Sequence, residues 1–213
     1  MRFDREMLRL YAVTDRAWVG RQTLSEQIED ALRGGVTLVQ LREKNLAKEE
    51  FVAEAKAVLA LCRQYGVPLI INDRLDVALE SGADGVHVGI EDAPVSEIRR
   101  QTGPDFIIGA TAKTVAQAQA AQAAGADYLG VGAVFPSPTK RNAIRITSDQ
   151  LLEICGSVSI PAVAIGGITA ENAPSLKGCG MAGIAVVSAI FGASDIQQAA
   201  AGLRTLAESI TAP

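Results

Sequence analysis

Short apolar runs rich in β-branched residues alternate with helical segments about eight times along the chain, with no Pro- or Ser-rich linker between them. Strands that are apolar on consecutive residues are covered on both faces, the condition of a parallel sheet wrapped in helices. The first unit is Leu8 to Val13 followed by helical Ser25 to Leu32, which stops at Gly34-Gly35. The second is Val36 to Lys44, then a helix from Lys48 to Tyr65 with Phe51, Val52, Ala55, Val58, Leu59 and Cys62 at helical offsets. VPLIINDR with LDVALESG, ADGVHVGIED, and DFIIGATAK with TVAQAQAAQAAG continue the pattern. ADYLGVGAVF, the loop PSPTKRNAIRI and helical SDQLLEICGSV come next. IPAVAIGGI leads to a short helix ending at Gly178, and the strand AGIAVVSAI to a helix from Asp195 to Ile210. Eight units in one domain predict a single (β/α)8 barrel, the TIM barrel, over residues 1–213. An open doubly wound sheet is the alternative, but the chain carries neither GxGxxG after its first strand nor GxxxxGK[ST] anywhere.

The formal charge of −4 and the absence of a basic tract with interleaved aromatics exclude a general affinity for nucleic acid or anionic lipid. Any anion site must therefore be local. Cys62, Cys155 and Cys179 are odd in number and far apart, which argues against a disulfide scaffold or a structural zinc site and fits thiols in a reducing cytoplasm. MRFDREMLRLYAVTD has no apolar stretch of signal-peptide type, and the run from Met181 to Ala193 is too short to span a bilayer.

A barrel sorts polar residues into two ends. Asp84 and Asp127, just after helix-ending glycines, fall at the bottom as loop stabilisers, whereas the strand C-termini converge on a mouth. In VTLVQLREK the period of two puts Gln40, Arg42 and Lys44 on one side and Leu41 and Glu43 on the other. Cations held at a rigid strand end suit a multidentate anion such as a phosphate, although an ordinary solvated strand end has the same composition. Further mouth residues are Thr14 and Asp15, Asn72 and Asp73, Asp92, Thr111 and Lys113, Ser137, Thr139 and Lys140, Gly166 and Gly167, and Val187 and Ser188. Asp73 and Asp92, from neighbouring strands, either pair with these cations or hold Mg²⁺, which joins one or two carboxylates to substrate phosphates. The glycines of AIGGI suit a second phosphate held by backbone N–H groups. His87, the sole histidine, lies inside a strand and reads as a satisfied core residue. No Ser/His/Asp or Cys/His nucleophile set is assignable, so the chemistry rests on positioning and charge.

YAVTD, VQLREK, LIINDR, ADGVHVGIED, FIIGATAK, ADYLGVGAVFPSPTK, PAVAIGGI and AVVSAI stand in the order and spacing of the thiamine phosphate synthase family, which the chain resembles along nearly its whole length. The resemblance implies a transferase that joins a hydroxymethylpyrimidine diphosphate to a thiazole phosphate and releases diphosphate. It further implies that Gln40, Leu41, Arg42, Glu43, Lys44, Asn72, Thr111 and Lys140 contact the pyrimidine diphosphate. Arg42, Lys44, Thr111 and Lys140 would serve the chemical step, and Asp73 and Asp92 would ligate magnesium. Ser137, Pro138, Thr139, Gly167, Val187 and Ser188 would contact the thiazole phosphate. The partners are thus small molecules, neither nucleic acid nor membrane, and a homo-oligomer stays open. Thr111 and Lys113 stand where the family has serine and histidine, Ser137 where it has threonine, and Ile90 where it has glutamine. Two alternatives are a thiazole tautomerase on a similar barrel, whose members use histidine at the Lys113 position, and a non-catalytic barrel that binds thiamine precursors.

Overall fold

A computed structural model of the chain describes residues 3–20, 22–137 and 144–212. Eight parallel strands close in sequence order: β1 (Leu10–Val13), β2 (Leu38–Leu41), β3 (Leu69–Asn72), β4 (Gly85–Val88), β5 (Ile107–Ala112), β6 (Tyr128–Gly132), β7 (Ala162–Ile165) and β8 (Gly183–Val186). The helices α1 (Leu24–Arg33), α2 (Lys48–Gln64), α3 (Leu75–Ser81), α4 (Val95–Thr102), α5 (Val115–Ala123), α6 (Ser148–Gly156), α7 (Ser188–Phe191) and α8 (Ile196–Thr211) lie between and after the strands. The expected (β/α)8 barrel is present. Only a 3-10 turn, Ala173–Leu176, links β7 to β8.

Two departures have local causes. The run AGIAVVSAI is not one strand: β8 ends at Val186, and Ser188 begins the single turn α7. Its residues are apolar in either conformation, so periodicity does not separate them. The apolar runs do not predict helix α4 because it buries only Ile98, although Pro94 and Glu97 at its start and Arg99, Arg100 and Gly103 at its end are helix signals.

Strand alternation divides the core. Leu10, Ala12, Val39, Leu41, Leu69, Ile71, Val86, Val88, Ile108 and Leu129 point outward against the helices. Leu8, Val13, Leu38, Ile70, Ile107, Val163 and Ala185 fill the barrel with the bodies of Tyr11 and Tyr128. At the bottom, Asp84 accepts from the Leu69 N–H at 2.9 Å. Asp127 accepts from the Ile108 N–H and from Arg99, both at 2.7 Å, so these two carboxylates pin strand starts as expected.

The interior is crowded at β4 to β6, where Gly109 and Gly130 leave room for the His87 ring. A Cβ on Gly109 would run into the Tyr128 ring and lie 2.5 Å from His87 Nδ1; one on Gly130 would lie 2.9 Å from His87 Cε1. Overpacking a dense interior costs about 1–3 kcal/mol. Gly109→Ala is therefore expected to lower unfolding free energy by about that amount, measured as a shift of the urea midpoint at unchanged slope.

Candidate active site

The mouth is built first at the end of β2. The Thr14 N–H donates to the Gln40 carbonyl and Thr14 Oγ1 accepts from the Arg42 N–H, both at 2.9 Å, so the chain keeps its extended course past the last strand residue. Gln40 and Arg42 consequently face the barrel axis and mouth, with Lys44 beyond them. Leu41 is fully buried against the helical layer. Glu43 also turns outward, where Arg16 donates to it at 2.8 Å and to Glu54 at 2.6 Å. Only the backbone of Leu41 and Glu43 is thus offered to a ligand. Burial, followed by the nearby Glu54 charge, holds the Glu43 carboxyl above its usual range despite Arg16.

Arg42 is held by Asp15 at 2.8 Å, and Lys44 by Asp73 at 3.0 Å. The side chains of the second pair are 52% and 29% exposed, and such pairs contribute about 0–1 kcal/mol. An arriving anion can displace this second pair cheaply. Asp73 follows β3 with φ 61°, the one positive φ outside glycine among the described residues, and its N–H donates to the His87 carbonyl at 2.9 Å. This left-handed residue turns the chain at the mouth, a conformation Asp tolerates better than most. Asp92 accepts from the Gly89 N–H at 2.7 Å. Its carboxyl is raised above the usual range by desolvation, and also by the Asp73 charge beside it. Two carboxylates from adjacent strand ends, with one lysine between their charges, suit a hard divalent cation. Among the described residues no group of three or more acidic, His or Cys side chains forms a complete protein cage. The donors therefore fit magnesium, which takes its remaining ligands from water and phosphate. Asn72, at the end of β3, has no side-chain hydrogen bond among the described residues and is half-buried beside Asp73.

On the opposite side, Gly166 and Gly167 follow β7 with φ 101° and 64°. A Cβ on Gly167 would strike the Pro136 carbonyl and lie 2.8 Å from the Phe135 carbonyl, so glycine is required there for close approach as well as conformation. Asn172 braces this turn, donating to the Gly167 carbonyl and accepting from the Thr169 N–H, both at 2.9 Å. Among the described residues, the N–H groups of Gly167, Ser188 and Ala189 donate to no protein acceptor. Val187 is the residue before α7, so it and Ser188 lie at the same face. Ser137 is half-buried in the loop after β6; Pro138, Thr139 and Lys140 lie outside the described residues.

A model of the family described as thiamine monophosphate synthase matches residues 10–190. The chain belongs to this family. It is 50% identical over 191 residues to a thiamine-phosphate synthase of Ruminiclostridium cellulolyticum, covering 90% of this chain and 91% of that one. It is 47% identical to a chloroplastic thiamine biosynthetic bifunctional enzyme of Arabidopsis thaliana, covering 89% of this chain and 37% of that longer protein. The solved thiamine phosphate pyrophosphorylase of Pyrococcus furiosus superposes with TM-score 0.89 at 40% identity, over 98% of this chain and 99% of that one. The fold alone is shared with a 3-hexulose-6-phosphate synthase, at 17% identity and TM-score 0.65. Family membership makes the chain a transferase of thiamine biosynthesis.

Thr111 keeps a hydroxyl at the position where the family has serine, and its Oγ1 lies 3.1 Å from His87 Nε2. The other imidazole nitrogen lies 3.1 Å from the Tyr128 hydroxyl. The Tyr128 hydroxyl is 2.8 Å from that of Tyr11, which accepts from Gln40 Nε2 at 2.6 Å. Tyr11, Tyr128, Arg16 and Asn172 escaped sequence reading. The importance of Tyr11, Tyr128 and Arg16 comes from partners distant in sequence, whereas Asn172 bonds to its near neighbours Gly167 and Thr169 in a turn whose glycines alone were read. Burial pushes the His87 pKa down to about 4, against the opposing pull of Asp73. So weak a base does not activate a hydroxyl at neutral pH, which agrees with the expected absence of a nucleophile. Because the unfolded imidazole titrates near pH 6.5, the unfolded chain binds the extra proton between pH 6.5 and 4. Folding stability from this group is full above that range and falls as pH drops through it, by about 3 kcal/mol. Urea unfolding across that range should show this slope, and His87→Gln should flatten it.

Proposed function

We propose that the mouth joins a 4-aminopyrimidine bearing a methylene diphosphate to a thiazole phosphate, giving thiamine phosphate and diphosphate. The observation that carries this reading is the meeting of Lys44 with Asp73 and Asp92 at the ends of β2, β3 and β4, beside the Arg42–Asp15 pair. The pyrimidine diphosphate lies against the Gln40–Lys44 backbone, Asn72 and Thr111, with Lys140 completing the set by its place in the sequence. The thiazole phosphate takes the free N–H groups around Gly167 and Ser188, with Val187 and Ser137, and Pro138 and Thr139 join the set by their place in the sequence.

The C–O bond between the methylene and the diphosphate breaks first, and the thiazole nitrogen then forms the new C–N bond to that carbon. Arg42 grips the diphosphate through paired N–H donors as negative charge gathers on it, and Lys44 adds a point charge. Asp73 and Asp92 would hold magnesium, which when bound supplies further charge neutralisation to the departing oxygens. Neither carboxylate attacks carbon. The packed barrel interior closes the site from below, and the thiazole nitrogen, held by its phosphate, is positioned to take the carbon. Both substrates are small molecules, and no described helix is long and apolar enough to cross a membrane. The cytoplasm is the proposed compartment.

Purified protein given both phosphorylated precursors should form thiamine phosphate with Mg²⁺ and stop in EDTA, recovering when Mg²⁺ is restored in excess. Equal product in EDTA removes the metal from the reading, and no product under any condition removes the reaction. Asp92→Ala should lower kcat/KM by about 100-fold or more while changing unfolding free energy by only about 1 kcal/mol, since one exposed hydrogen bond is lost. An equal rate at subsaturating Mg²⁺ would contradict it.

A further inference from the structure

Five side chains cross the barrel beneath the mouth in one hydrogen-bonded line: Gln40, Tyr11, Tyr128, His87 and Thr111. The two ends are ligand-facing positions, and the three middle members have no part in the reaction described above. All three are buried. The line has a direction because each member has few hydrogens to give. Gln40 Nε2 donates to the Tyr11 hydroxyl, so the one hydrogen of Tyr11 goes to Tyr128. The hydrogen of Tyr128 then goes to His87 Nδ1. A neutral imidazole that accepts at Nδ1 carries its hydrogen on Nε2 and donates to Thr111 Oγ1. The Thr111 hydrogen is left for a ligand, and Gln40 keeps its Oε1 acceptor and a second amide hydrogen.

The reverse wiring requires Gln40 to turn its oxygen to Tyr11 and His87 to move its hydrogen to Nδ1. A mixed state leaves one buried hydroxyl or ring nitrogen unpaired, which a dry interior disfavours. The imidazole has no room to turn out of the line, because Gly109 and Gly130 abut it closely: a Cβ would lie 2.5 Å and 2.9 Å from its ring atoms. The amide orientation at one wall of the mouth is therefore tied to the hydroxyl direction at the other, across the full width of the barrel.

We propose that Tyr11, Tyr128 and His87 are positioning residues that fix the Gln40 amide and Thr111 hydroxyl in one joint orientation, and that this orientation selects a 4-aminopyrimidine over a 4-oxopyrimidine. The inference rests on the pyrimidine reading given above. An aminopyrimidine edge offers an amine donor beside a ring-nitrogen acceptor, the complement of an amide offering oxygen and N–H together, as glutamine does with adenine. The oxo counterpart presents an acceptor beside a ring N–H, and meets that same amide only if it flips and the line is broken or reversed. Sites built to hydrogen-bond one such edge reject the other strongly, because buried groups are left unpaired.

Two measurements test this. His87 is the only histidine, so the nitrogen-15 spectrum of the ring reports one residue. At pH 7 in the wild-type protein the expected signature is a neutral ring with hydrogen on Nε2; hydrogen on Nδ1, or on both nitrogens, overturns the wiring. This reading needs neither a variant nor turnover, so it stands apart from the proposed reaction. Calorimetric titration with the 4-amino and 4-oxo pyrimidine diphosphates should then show a wild-type preference for the amino compound of about tenfold or more. Tyr11→Phe and Tyr128→Phe should each erase most of that preference, leave thiazole phosphate affinity unchanged, and combine with no further loss, since a line is broken only once. A preference that survives both substitutions, or losses that add, overturns the proposal. Absence of turnover in a protein that still shows the tautomer and the preference would instead remove the reaction.

Discussion

Side chains on a parallel strand point alternately to its two faces, and in this barrel the alternation outlasts the strand in which it begins. Strand β2 ends at Leu41, yet Arg42 still faces the mouth and Glu43 the helices. Two contacts enforce this: Thr14 takes the Arg42 N–H, and Arg16 pins Glu43 in its buried pocket. The energetic scales differ. Breaking the Glu43 pair strands a carboxylate whose side chain is 2% exposed, at a cost of about 3–5 kcal/mol. The Lys44–Asp73 pair is wetter and costs about 0–1 kcal/mol to exchange, and the part-buried Arg42–Asp15 pair lies between the two. A costly outer pair thus holds the loop while a cheap inner pair leaves Lys44 available.

Charge at the mouth supports a metal–diphosphate complex better than free diphosphate. Among the described residues placed at the mouth, Arg42, Lys44 and Lys113 stand against Asp15, Asp73 and Asp92, three cations against three carboxylates. That set has no net attraction for an anion. The divalent cation proposed between Asp73 and Asp92 would turn that balance positive, and Lys140 adds a charge by its place in the sequence. Arg42 and Lys44 then act as local donors rather than as a long-range field, which suits a chain with a formal charge of −4.

The legible parts of this protein are those fixed by period and order. Each strand is a short apolar run, and each mouth residue sits at or just past the end of one, so Gln40, Arg42, Asp73, Asp92 and Thr111 were placed from sequence. Helix α4, with one buried residue among its eight, offered too short an apolar pattern to stand out, and the join of β8 to α7 was hidden in an apolar run that suits either conformation. Thr14 and Asp15 were placed at the mouth but not in their role, which is to hold Arg42. The Tyr11–Tyr128 bond joins residues 117 positions apart, and no local pattern announces such a pair. Sequence gives the face on which a side chain stands; the partner across the barrel is a tertiary fact.

The barrel interior is consequently layered. Below, Leu8, Leu38, Ile70, Ile107 and Val163 pack without polar atoms, and Phe3 stacks under Tyr128 with ring centroids 5.7 Å apart. Above, the space is filled by phenol, imidazole, amide and hydroxyl groups bonded only to one another. Filling it with aliphatic side chains would serve stability at least as well, since a hydrogen bond contributes about 1 kcal/mol net and burial of a large side chain about 1.5–3 kcal/mol. What aliphatic packing does not supply is direction. A line of donors and acceptors has a head and a tail, and only such a line carries the orientation of an amide on one wall of the mouth to a hydroxyl on the other.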